Sequence, residues 1–179
     1  MGIPVETGGG RLQSGRVTRI VEAQFTRPDD TTQYSANDIV SDSTAVGHPL
    51  LFQDCVRFDG GSGLLQSGLM FASTDAATNP NFDLVLFDTS ALTIAADNAA
   101  GTVTDAQAYR CVAVITFNGT ATANTSTVGG NLVIGATNIG QRFKCADGSR
   151  DLWGLVIDRG GYTPPALEIY RFKLAIAQD

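Results

Sequence analysis

Apolar and polar side chains begin to alternate at Val17. Val17, Val21, Ala23 and Phe25 fall on one side of an extended segment, and Thr18, Glu22, Gln24 and Thr26 on the other. Further period-two or continuous apolar runs of strand length cover Leu50–Phe58, Leu64–Ala72, Phe82–Asp88, Tyr109–Phe117, Leu132–Ile134, Leu152–Asp158 and Leu167–Ile176. Gly, Asn, Asp and Pro clusters separate them, such as Asp59-Gly60-Gly61-Ser62-Gly63, Asn118-Gly119-Thr120 and Arg159-Gly160-Gly161-Tyr162. The last run is the clearest: Tyr170, Phe172, Leu174 and Ile176 are expected to point inward, with Arg171 and Lys173 outward. Helical signals are confined to Ala95–Ala100 and Thr104–Ala108, each a turn or two. About eight short strands with Gly-rich turns and no helix-strand alternation predict an all-β fold of packed antiparallel sheets. An antiparallel β-sandwich of the jelly-roll kind is the leading architecture.

The first sixteen residues lack either period and contain Gly8-Gly9-Gly10 and Gly15. Such a stretch cannot bury a face of its own, so residues 1–16 are expected to form an extended N-terminal arm ahead of one β-sandwich domain, 17–179. A chain of 179 residues supports one well-buried core rather than two. Its 43% hydrophobic and 17% charged content is that of a globular protein. No apolar run reaches the roughly 18–20 residues a bilayer span needs, and Met1–Glu6 lacks a basic region followed by an apolar stretch; a membrane partner and a signal peptide are therefore not expected. A net charge of −6 repels a phosphate backbone from most of the surface, which argues against nucleic acid as a partner.

Candidate chemistry is sparse. The single histidine, His48, sits in the turn-like Val46-Gly47-His48-Pro49. Gly60-Gly61-Ser62-Gly63-Leu64 fails the serine-hydrolase elbow at its last position and lies between strands rather than before a helix. Neither dinucleotide nor P-loop glycine spacing occurs. Asp29-Asp30 and Asp97-Asn98 with Asp105 offer oxygen ligands, but none has EF-hand spacing. Cys55, Cys111 and Cys145 are odd in number and without C-x-x-C spacing, so they read as buried free thiols. Asn118-Gly119-Thr120 and Asn124-Thr125-Ser126 match the glycosylation rule yet read as turn residues. No catalytic residue, metal site or cofactor is assigned, and the chain is expected not to be an enzyme.

One segment carries more information. In Phe25-Thr26-Arg27-Pro28-Asp29-Asp30-Thr31-Thr32-Gln33-Tyr34-Ser35-Ala36-Asn37-Asp38-Ile39-Val40, Pro28 fixes its own φ and pushes Arg27 out of the helical region, ending the strand. Asp29, Asp30 and Thr31 then supply turn hydrogen bonds. Tyr34 is expected to cover the sheet end with its ring while its hydroxyl reaches solvent or backbone. Phe25, Arg27, Pro28, Asp29, Tyr34 and Asp38 thus form a structural corner, with Arg27 as an alternative ligand for a partner carboxylate. Trp153, within an apolar strand, is expected to pack in the core rather than to stack a sugar.

This corner resembles a segment of a family of small tailed-bacteriophage structural proteins, in which a strand ends in F-T-R-P, runs through D-T-T-x-Y and re-enters the sheet at D-hydrophobic-V. The resemblance extends thinly to Gly61–Leu65, Leu152–Val156 and Leu174–Asp179. It implies a head decoration (cement) protein, made in the bacterial host cytoplasm and located on the virion, on the outer capsid surface. It would bind the major capsid protein and stabilise capsomer contacts, with self-association as a homotrimer. A tail, baseplate or fibre-associated component, or a carbohydrate-binding module of the particle, is the alternative. The arm is the expected attachment element, through apolar Ile3, Pro4, Val5 and Leu12 and basic Arg11 and Arg16.

Overall fold

The computed structural model describes residues 17–74, 79–119, 125–128 and 130–179. Among the described residues, eleven strands and one short helix follow in the order β1 (Val17–Thr26), β2 (Ile39–Val40), β3 (Leu50–Phe52), β4 (Ser62–Ala72), β5 (Asn81–Phe87), α1 (Asp105–Ala108), β6 (Cys111–Asn118), β7 (Thr125–Val128), β8 (Asn131–Ala136), β9 (Gln141–Lys144), β10 (Leu152–Asp158) and β11 (Ile169–Gln178). The protein is nearly all β, and every pairing is antiparallel. The first sheet has the order β1-β11-β4-β8-β7, with β9 beside the other half of β4; the second has the order β2-β10-β5-β6, with β3 beside β10.

The alternation expected for the last strand holds in full: Tyr170, Phe172, Leu174 and Ile176 are buried, while Arg171 is exposed. They belong to one apolar cluster fed by both sheets, with Met70 and Leu65 from the first and Leu84, Leu86, Ile115 and Phe117 from the second. Aromatic edges tie the layers together. Phe82 of β5 meets Tyr170 of β11 at 5.1 Å and 82°, and Phe117 of β6 meets Phe172 at 5.6 Å.

A second, smaller cluster lies on the far face of the second sheet, where Leu155, Phe87 and Ile39 are buried with Ile94. Ile94 comes from the connection between β5 and α1. Sequence reading expected a helical turn at Ala95–Ala100. Instead the segment makes one tight turn at Asp97–Asn98, with Asn98 at φ 59° and the Ala99 N–H on the Ala96 carbonyl at 3.2 Å. It docks beside β2 through bridges Asp38–Ala100 and Gly47–Ile94 and hydrogen bonds between Ile39 and both Ala99 and Asn98. Gly47 permits this close approach, since a Cβ there would sit 2.6 Å from the Ala95 carbonyl oxygen. The other helical expectation stands: Thr104 caps α1 in a reciprocal capping box with Gln107.

Three expected strands begin or end two or more residues inside their apolar runs. After Phe52 the chain turns through Asp54, at φ 55°, so Cys55 and Val56 reach the core from a turn rather than a strand. Tyr109 terminates α1 and is 88% exposed, and the strand starts at Cys111. The terminal strand begins at Ile169, two residues beyond Leu167, which turns at φ 57°. Trp153 is half-buried on the far face of the second sheet, opposite Phe87 and Leu51, so it is not a core residue. Its parity in β10 opposes Leu152 and Gly154, which face inward.

Candidate functional site

The corner after β1 is built around a buried cation. Thr26 is the last residue to pair with β11, and the Arg27 N–H then bonds to the Glu168 carbonyl at 2.9 Å. Pro28 closes the strand, its carbonyl accepting from Asp30 N–H and Leu167 N–H. Asp30 takes the Asx-turn role, accepting from the Thr32 N–H at 2.8 Å and its hydroxyl at 2.7 Å; these bonds hold its carboxyl below the usual range. Asp29 stays exposed. Asp38 accepts from the Ser35 N–H at 2.7 Å and closes the loop where β2 begins. Phe25 packs against Tyr170 at 5.6 Å.

Turning at Pro28 drives the Arg27 side chain inward, where its guanidinium has no solvent exposure. It donates to Asp97 at 2.7 Å, to the carbonyls of Asp30 at 3.1 Å and Pro165 at 3.2 Å, and to the Tyr34 hydroxyl oxygen. Tyr34 donates to the other oxygen of Asp97 at 2.7 Å, which also accepts from the Ser41 N–H at 2.8 Å. The Arg27 guanidinium also sits 4.9 Å from the Tyr34 ring centroid. Burial, with the Asp97 carboxylate beside it, pushes the Tyr34 phenol far above its ordinary value. Two expectations change here. The Tyr34 hydroxyl reaches neither solvent nor backbone, and Arg27 is spent on its own fold rather than offered to a partner carboxylate. Asp97, weighed in the sequence as a calcium ligand, is the counter-ion.

Two more buried carboxylates lie at the same end. Glu168 accepts from the hydroxyls of Tyr162 at 2.8 Å, Tyr170 at 2.6 Å and Thr74 at 2.7 Å. Burial first, and Glu168 next, push both phenols well up. Asp158 accepts from the N–H groups of Gly160 and Gly161, at 3.2 and 2.8 Å, while its other oxygen and the Asn81 side-chain oxygen are buried with no partner among the described residues. Desolvation raises the Asp158 carboxyl. All three acids therefore act as anchors for loops.

Elsewhere, His48 is exposed, with Nδ1 2.9 Å from the Asp42 carboxylate. Cys55 and Cys145 are buried and Cys111 half-buried, all as free thiols; burial pushes Cys145 up to about 12. Among the described residues, no three His, Cys, Asp or Glu side chains are grouped to hold a metal, and no helix is long and apolar enough to cross a membrane. The arm residues Ile3, Pro4, Val5, Arg11, Leu12 and Arg16 lie outside the described residues.

Sequence reasoning missed a surface. The strands of the first sheet contain five basic residues, Arg19, Arg142, Lys144, Arg171 and Lys173, against one acid, Glu22. They thus carry +4 in a chain whose total is −6, leaving −10 for the remainder. Arg142 and Lys144 flank buried Phe143, and Arg171 and Lys173 flank buried Phe172, so these four side chains share the outer face. That face also holds an apolar groove of about 640 Å³, lined by Leu69, Phe71, Val128, Val133 and Ile169 and edged by Arg171 and Lys173. Strand-by-strand charge counting would have found the basic face, but only after the strands were sorted into sheets.

No family model matches the chain, and no curated protein matches it.

Proposed function

We propose that this chain is a non-enzymatic structural protein of a tailed-phage virion, a capsid decoration protein that binds the major capsid protein on the outer shell. We further propose that its two sheets form a jelly-roll sandwich. The strand order supports that reading. Early and late strands alternate as neighbours, first, eleventh, fourth and eighth in one sheet and second, tenth, fifth and sixth in the other, as two interlocked Greek keys require.

The observation that carries the function is the partition of charge and cover between the two sheets. The second sheet's outer face is covered in part by the chain itself, over Leu155, Phe87 and Ile39, while Leu51 and Val114 stay exposed. The first sheet offers an open apolar groove with cations on the same face, of which Arg142, Lys144 and Lys173 also pair with Asp179, Asp147 and Glu22, a mixed surface suited to an acidic and apolar protein partner. Behind it, every buried charge described above is engaged in holding loops, which gives a stiff platform. A homotrimer would multiply weak contacts of this kind into firm attachment.

The test is binding of purified protein to phage particles that lack it, with cryo-EM of the decorated particle. Occupancy at regular positions on the shell, weakening as salt rises from 50 to about 500 mM as surface charge contacts do, is the expected result. Binding confined to tail or baseplate supports the alternative assignment, and absence from the particle overturns both.

A further inference from the structure

We infer that the apolar groove on the first sheet is the seat of the N-terminal segment Ile3-Pro4-Val5-Glu6. The groove presents Leu69, 41% exposed, Ile169, 39%, and Val128, 62%, beside Phe71 and Val133. Exposed aliphatic side chains gathered in one concave patch form a ready seat for an apolar segment, and among the described residues nothing covers it. On the opposite sheet the β5–α1 connection buries Leu155, Phe87 and Ile39, and the apolar side chains left exposed there, Leu51 and Val114, do not line this groove.

The occupant is argued from chemistry and length. The groove is apolar in its floor and has two cations along one side, Lys173, 5.4 Å from the Phe71 ring centroid and 3.6 Å from the exposed Glu22 carboxylate, and Arg171, which donates to Gln24. Its complement is a short apolar run ending in a carboxylate. Ile3-Pro4-Val5-Glu6 has that order, and it is the only acid-bearing stretch of the sixteen residues ahead of β1. Proline adds an extended conformation with little entropy left to lose.

Reach is sufficient. Val17 pairs with Gln178, and the groove residues Lys173, Arg171 and Ile169 lie five to nine positions further along β11. That is roughly 17–30 Å at ~3.3 Å per residue. Residues 7–16 span up to about 33–36 Å when extended. The segment therefore reaches the groove of its own chain, and equally that of an adjoining copy on a shell. Arg11, Leu12 and Arg16 remain outside the groove, available to a partner.

Disulfide trapping in the full chain tests this, in a background where Cys111 is replaced by Ser. Val5→Cys is combined with Leu69→Cys in the groove, or with Leu51→Cys, which is equally exposed on the other sheet. We expect the groove pair to oxidise at least about tenfold faster than the control, in line with the millimolar effective concentration of a short linker. Glu6→Lys should slow it, and adding Lys173→Glu should restore it. A trapped monomer marks a strap on its own sheet and a covalent multimer one on a neighbour; both support the inference. Equal trapping at the two sites overturns it. So does a Lys173 amine whose acylation rate is unchanged by Ile3→Asp with Val5→Asp, whatever the trap shows. The inference takes the arm from the function proposed above but is read on isolated protein. Trapping without particle binding would therefore sink that function alone, and particle binding without trapping would sink only this inference.

Discussion

Replacing Asp97 with Ala should be among the most damaging single changes in the described fold. It leaves the Arg27 guanidinium, fully enclosed, with the carbonyls of Asp30 and Pro165 and the Tyr34 hydroxyl but no counter-ion. It also strips the acceptor from Tyr34 and from the Ser41 N–H. Breaking a buried pair on one side costs about 3–5 kcal/mol, because the remaining charge cannot be rehydrated in place. For a domain of this size each kcal/mol shifts the melting temperature by about 2–4 °C, so a fall of roughly 6–20 °C is expected. The assay is urea and thermal unfolding of Asp97→Ala, Arg27→Met and the double variant. The m-value should hold while the midpoint moves. The double variant should lose less than the sum of the singles, with a coupling of at least about 1 kcal/mol. A loss below about 1 kcal/mol for Asp97→Ala, or strict additivity, would refute the claim that this pair organises the corner.

Other consequences follow from the same burial. Tyr34, Tyr162 and Tyr170 have phenols raised in the fold. Their contribution is intact below the unfolded value near ~10 and is lost as pH rises beyond it. Tyrosinate absorbance from these three should therefore appear only together with cooperative unfolding, and a gradual rise in the folded protein would contradict it. Asp158 is also raised, so its ionisation in the fold erodes stability as pH climbs past the unfolded value near ~3.9. Asp158→Asn should be at least as stable as the parent at pH 7 and lose that advantage at pH 3, read from urea midpoints; a loss beyond about 1 kcal/mol at pH 7 argues against it. Burial raises all three thiols, least completely enclosing Cys111. Iodoacetamide at pH 8 should label Cys111 first and slowly, and reach Cys55 and Cys145 only after denaturation, as mass mapping would show.

Period-two patterning was legible wherever one face of a strand is buried, as in β11, β6 and the middle of β4. It failed for strands without such a face. β7 reads Thr-Ser-Thr-Val and is almost wholly exposed at a sheet edge, and β9 buries only Phe143. Neither has enough apolar contrast to stand out from a turn. The turn chemistry of the corner was also legible, because Pro28 and Asp30 act on residues next to them. The partner of Arg27 was not: Asp97 lies 70 positions away, in an Ala- and Asn-rich stretch that resembled a weak helix. A carboxylate there becomes meaningful only when the β5–α1 connection is folded back over the second sheet.

Net charge illustrates the same limit in physical terms. A total of −6 governs what the molecule meets from afar, and at long range a phosphate backbone is still repelled. Contact is governed within a Debye length, ~8 Å at physiological salt, and on that scale a partner senses one face rather than the sum. The first sheet's strands carry +4 because β9 and β11, distant in sequence, both alternate basic with aromatic residues, Arg142-Phe143-Lys144 and Arg171-Phe172-Lys173. Each aromatic enters the core, so each pair of cations is turned outward by the same pleat. The two strands flank β4 on opposite sides and at different heights, Arg142 and Lys144 beside Leu64 and Ser62 and Arg171 and Lys173 beside Phe71 and Leu69, so one sheet face holds two separate basic patches. The proposed docking surface thus rests on core packing and strand order together. Replacing Phe143 or Phe172 should disturb it as surely as replacing a cation.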